Sequence, residues 1–105
     1  MFTYQIKIEY SGKSFVGWQI QKNGLSVQEV LEKAFSNFLK EKILIIGAGR
    51  TDAGVHASEQ SAHFRTKKKI DNKVNFINSI NFFLSKYPVS VLNIIERTNK
   101  FHARH

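Results

Sequence analysis

The chain has 105 residues, 42% of them hydrophobic, and sixteen Lys and Arg against eight Asp and Glu give a formal charge of +8. That length supports one core and not two, the absence of cysteine excludes disulfides and thiolate zinc sites, and no apolar run approaches a membrane span. So large a positive charge on so small a chain favours a polyanionic partner, nucleic acid above all, over a merely solubilising surface.

Phe2, Tyr4, Ile6, Ile8 and Tyr10 alternate with Thr3, Gln5, Lys7 and Glu9, the period of a strand with one buried face. This is not a secretory leader, and with the lack of cysteine it fits a cytoplasmic protein. Lys13 to Gly24 reads as an irregular loop in which Phe15, Trp18, Gln19 and Gln21 mix rings and amides near lysines. Such a surface can stack bases and bond their edges; equally, Phe15 and Trp18 can pack on the first helix. Ser26-Val27-Gln28-Glu29 is a capping box, and Val27, Val30, Leu31, Ala34, Phe35, Phe38 and Leu39 follow at helical spacing, so a helix is expected from about Ser26 to Lys40.

Ile43-Leu44-Ile45-Ile46 reads as a buried strand running to Gly47, and a glycine-rich stretch, Gly47 to Ala57, follows it. Three glycines there mean a tight turn or the close approach of something large. Among them stand Arg50, Thr51, Asp52 and His56. Polar side chains on a stiff loop at a strand end are where chemistry is expected, although Asp52 alone would also suit a helix cap or an Asx-turn. Glu59 to Arg65 reads as a third strand with Ala62 and Phe64 on one face, and Thr66-Lys67-Lys68-Lys69 as a basic run beyond it. Asp71 reads as the cap of a second helix with Val74, Ile77, Ile80, Phe83 and Leu84 on its inner face. Tyr87-Pro88 breaks that helix, and Val89 to Glu96 makes a fourth strand.

The order strand, helix, strand, strand, helix, strand predicts one α+β domain over 1–105 of ferredoxin-like βαββαβ build. Its sheet is antiparallel, with both helices on one face. Gly47-x-Gly49-x-x-Asp52 is not a dinucleotide fingerprint, and Gly12-Lys13-Ser14 lacks the first glycine of a phosphate loop. His56, His63, His102 and His105 have no ligand spacing, so neither metal nor cofactor is expected.

Gly49-Arg50-Thr51-Asp52-Ala53-Gly54-Val55-His56-Ala57 resembles the active-site signature of the TruA-type tRNA pseudouridine synthases. The likeness extends to Tyr10-Ser11-Gly12, Phe15-x-Gly17-Trp18-Gln19-x-Gln21, the first helix, Gln60 with His63-Phe64, and Phe101-His102-Ala103-Arg104. It departs at Ser11, where an aspartate is common, and at Leu84 to Val89, where the family has a Leu-Pro turn. The resemblance implies that Asp52 is catalytic. A carboxylate can act as nucleophile at the sugar or at the uracil ring without metal or redox cofactor. Arg50 then either pairs with phosphate and fills the space of an extruded base, or braces the loop. Thr51, His56 and Gln19 are candidate contacts to the nucleotide, and Lys67 and Lys68 candidate phosphate contacts or a solvated turn.

The resemblance further implies a tRNA partner, modified in the anticodon stem-loop at positions 38 to 40, and a homodimer. It also implies a second domain across the active-site cleft, so that this chain is expected to be the N-terminal half, weak or inactive alone. The competing expectation is a non-catalytic RNA-binding module of RRM type, which shares the strand-helix order but carries exposed aromatics on its third strand.

Overall fold

The computed structural model describes residues 1–11, 26–48, 57–98 and 100. Along the chain run β1 (Phe2–Tyr10), α1 (Val27–Leu39), β2 (Ile46–Gly47), β3 (Ala57–Thr66), α2 (Lys73–Phe83) and β4 (Val89–Arg97). The sheet order is β2-β3-β1-β4 and every neighbouring pair is antiparallel. This is the expected α+β ferredoxin-like arrangement.

The alternation in β1 builds the core. Tyr4, Ile6, Ile8 and Tyr10 are buried on the helix side, where their register partners on β3 include Phe64 opposite Tyr4 and Ala62 opposite Ile6. Phe64 packs at 4.9 Å from Phe35 of α1 and stacks on Tyr4 at 5.6 Å, while Phe76 of α2 meets Phe35 at 5.7 Å. These rings join both helices to the two central strands, and contacts of this kind add to the area they bury.

The other face of β1 and β3 pairs Thr3 with Arg65, Gln5 with His63 and Lys7 with Ser61. It is tied by polar bonds: Gln5 Nε2 donates to Ser61 Oγ at 2.7 Å, Arg65 Nε to Thr3 Oγ1 at 3.3 Å, and Arg97 Nε to Gln5 Oε1 at 2.9 Å. No Phe, Tyr or Trp occupies these six positions and the one imidazole, His63, is buried, so the exposed stacking platform of an RRM-type module is missing from them.

α1 begins as its sequence requires. Ser26 is the N-cap, with Oγ accepting from the Glu29 N–H at 3.1 Å, and Glu29 lies 3.5 Å from Lys33 one turn on. The helix ends in a left-handed Lys40 (φ 58°), whose N–H reaches the Ser36 carbonyl at 2.9 Å.

Three expectations need correction. The cap of α2 is Asn72, not Asp71: Asn72 Oδ1 accepts from the Asn75 N–H at 2.9 Å, and Asp71 is exposed one residue outside the helix. The inner face of α2 is Phe76, Ile80 and Leu84 with Ile77 beside them, whereas Val74 is 72% and Phe83 46% exposed. The Phe76 ring is drawn into the aromatic cluster, and that turns Val74 to solvent. Finally, the second strand is not Ile43 to Gly47. Only Ile46 and Gly47 pair with β3, opposite His63 and Ala62.

Candidate active site

The glycine-rich stretch connects β2 to β3. Gln19, Arg50, Thr51, Asp52 and His56 lie outside the described residues, as do the 12–25 segment and the Phe101-His102-Ala103-Arg104 tail. Described on either side are the two feet of the connection. Gly47 stands opposite Ala62, the Ala48 N–H donates to the Ser61 carbonyl at 2.8 Å, and Ala57 stands opposite Tyr10.

Those feet fix the end of the sheet from which the connection springs. Tyr10 also pairs with Val89, and the Ser11 N–H donates to the Pro88 carbonyl at 2.9 Å. The segment that carries Gln19 therefore leaves β1 at the same end as the one that carries Asp52. Register shifts in β1 between Ile8 and Tyr10 on the β3 side, and between Lys7 and Ile8 on the β4 side, lie toward this end. Bulges of this sort bend a strand and re-aim the chain beyond it.

Lys67 and Lys68 stand at the opposite end, beyond Thr66, where β3 finishes. Nine steps of strand rise put them roughly 30 Å from Ala57. The Lys68 ammonium donates to the Leu39 carbonyl, where a cation complements the negative end of α1. The Lys67 N–H donates to Glu41 Oε1 at 3.1 Å and Thr66 Oγ1 donates to the same oxygen, while the Lys67 side chain is exposed. Lys69 sits 6.0 Å above the Phe2 ring. The basic run thus also organises the turn between β3 and α2.

Approaching the connection from α1, the chain is held by polar groups whose role sequence reasoning did not assign. The Ile43 N–H donates to Ser36 Oγ, the Ile45 N–H to Glu32 Oε2, and Gln28 Nε2 to the Ile45 carbonyl, each at 2.9 Å. Gln28, Glu32 and Ser36 recur every fourth residue, one stripe on the helix. That spacing was the available signal. Burial raises the Glu32 carboxyl above its ordinary value, opposed by the Ile45 N–H, Gln28 and Lys42 and reinforced by Glu29. Among the described residues no three His, Cys, Asp or Glu side chains gather as a metal site, and no helix is long and apolar enough to cross a membrane.

A family model for tRNA pseudouridine synthase matches residues 6–83, from β1 through α2. The chain belongs to the tRNA pseudouridine synthase family. It is 57% identical over all its 105 residues to tRNA pseudouridine synthase A of Pelagibacter ubique (strain HTCC1062), covering 43% of that protein. Proteins of the same description from Ehrlichia canis (strain Jake) and Ehrlichia ruminantium (strain Welgevonden) are 47% and 44% identical, each over 102 residues, 96% of this chain and 41% of theirs. The chain therefore spans about two fifths of the length of the curated synthases it matches.

Proposed function

We propose that this chain carries the catalytic aspartate of a tRNA pseudouridine synthase, with Asp52 as its nucleophile. The observation that carries the reading is the family match across residues 6–83, which contains the whole Gly49 to Ala57 signature. The reaction is an isomerisation. The bond from ribose C1′ to uracil N1 breaks, C1′ joins C5, the C5 proton leaves, and N1 ends with a proton. The Asp52 carboxylate attacks either C1′ or the uracil ring and is released when the new bond is complete. Proton transfer from C5 then needs only a general base, and no redox cofactor enters.

Arg50 pairs with phosphate or fills the place of the extruded base, and Thr51, His56 and Gln19 contact the displaced nucleotide. Lys67 and Lys68 contact phosphates far from the reacting base, as a substrate the size of tRNA allows. The substrate is the anticodon stem-loop of tRNA, the compartment the cytoplasm, and the working assembly a homodimer. A second domain, for which the relatives' greater length gives the support, closes the cleft around the flipped uridine.

The test is tritium release from C5-labelled uridine in unmodified tRNA, comparing the full-length enzyme, second domain included, with its Asp52→Asn variant. The parent is expected to release tritium, and the variant at least about a thousandfold more slowly, because the amide cannot serve as the nucleophile. Equal rates in the two would remove Asp52 from the mechanism.

A further inference from the structure

The segment 43–45 has the character of a strand without a strand partner. Ile43 and Ile45 are buried and Leu44 between them is 58% exposed, the in-out alternation of extended chain. Continuing the register of Ile46 with His63 would set Ile45 against Phe64 and Leu44 against Arg65. The ladder stops at Ile46 instead. The chain peels away from β3 and leaves a groove of about 260 Å³, lined by Lys42, Leu44, Ile46, His63, Phe64 and Arg65 among others. Buried backbone polar groups must find partners, and losing one costs the full desolvation penalty of the group left behind. Here the partners come from α1.

The geometry points to Gln28, Glu32 and Ser36 as positioning residues for the connection that carries Asp52. Their side chains take the N–H of Ile43 and both backbone groups of Ile45, which the alternation set by the Ala48-to-Ser61 bond turns away from β3. They thereby set the position from which Gly47 and Ala48 enter the Gly47–Ala57 stretch. Glu32 is the centre of the device, because one oxygen, Oε2, accepts from the Ile45 N–H and lies 3.4 Å from Gln28 Nε2. Ile45 is held through both its N–H and its carbonyl, three residues before Ala48. The bond from the Ala48 N–H to the Ser61 carbonyl then seats the foot of the connection on β3. A displaced foot moves the reacting carboxylate, and misplacement on the scale of an ångström lowers turnover more than binding. This inference rests on the reading of Asp52 as catalytic.

A purely structural clamp exists in the same molecule and serves as the control. Asn81 of α2 grips Val91 on the far edge of the sheet, donating to its carbonyl at 3.0 Å and accepting from its N–H at 2.8 Å.

The experiment measures amide exchange at Ala48 together with kcat and KM for tritium release in the full-length enzyme, second domain included. It uses the parent, Glu32→Ala, Gln28→Ala, Glu32→Gln and Asn81→Ala. In Glu32→Ala, Ala48 exchange is expected to rise and kcat to fall, each by about tenfold, with KM within about twofold of the parent. Gln28→Ala, the milder change, moves both in the same direction and covers the case in which Glu32→Ala does not fold. Glu32→Gln keeps an acceptor for the Ile45 N–H and restores both readouts. Asn81→Ala leaves both within about twofold. Unchanged Ala48 exchange in folded Glu32→Ala and Gln28→Ala, or an equal loss of kcat in Asn81→Ala, overturns the proposal. If the parent and Asp52→Asn release tritium at the same rate, the catalytic reading fails, and Ala48 exchange still decides whether α1 seats the connection.

Discussion

The two edges of the sheet are both held by helix side chains, and they are held differently. On β4, Asn81 satisfies the outward N–H and carbonyl of Val91, while the inner side of the strand keeps a ladder to β1 from Val89 to Arg97. On the other edge, Gln28 and Glu32 satisfy the same two groups of Ile45, but the described ladder to β3 covers only Ile46 and Gly47. An amide or carboxylate on a helix can thus cap the outward groups of a strand that is paired on its inner side, or hold a segment that has left the ladder. Where the ladder exists, the side chain is a supplement that blunts an exposed edge. Where the ladder stops, the side chain decides the path of the chain, and on this edge that path leads to the candidate catalytic stretch.

The aromatic core beneath both edges sets the largest expected effect. Phe64 touches Tyr4, Phe35 and Phe76, so Phe64→Ala should cost about 3–5 kcal/mol in urea unfolding. Because Phe64 sits between the helices and the central strands, faster exchange is expected at Ile45 and Val91 alike. A loss confined to one edge would mean that the two clamps do not share a foundation.

Asn81→Ala comes next. It removes two bonds to buried-strand backbone, about 1–3 kcal/mol, and should accelerate Val91 exchange while leaving Ile45 as it was. Acceleration at both would erase the distinction between the edges.

The smallest effect sharpens the comparison by pH, since only the α1 clamp contains a titratable group. Burial raises the native Glu32 carboxyl above 4.5, with Lys42 and Glu29 as the charged groups bearing on it. The native state therefore holds this proton more tightly than the unfolded chain. The stability so gained is fully present below 4.5 and is lost as pH rises through the raised native value. Glu32→Gln has no such proton to lose. Thermal unfolding of the parent should weaken relative to Glu32→Gln as pH rises above 4.5, and parallel curves would show that the carboxyl is not held above its ordinary value.

Much of this molecule is written in local pattern. The alternation from Phe2 to Tyr10, the Ser26 cap and the apolar spacing of α1 each specify their element, because period and capping depend on residues a few positions apart. The signature from Gly49 to Ala57 is equally legible, being contiguous. Questions of partnership were decided only by the tertiary structure. The rotation of α2 follows Phe76 into a ring cluster made by β1, β3 and α1, and no spacing within α2 contains that cluster. Lys67 and Lys68 read as generic phosphate ligands until β3 carries them to the far end of the sheet from the candidate site. The run from Ile43 to Ile46 has the composition of a strand, but a strand is defined by who takes its backbone bonds. For Ile43 and Ile45 those partners are Ser36, Glu32 and Gln28 on a helix folded back over the sheet, and sequence pattern records residue type, not hydrogen-bond partner.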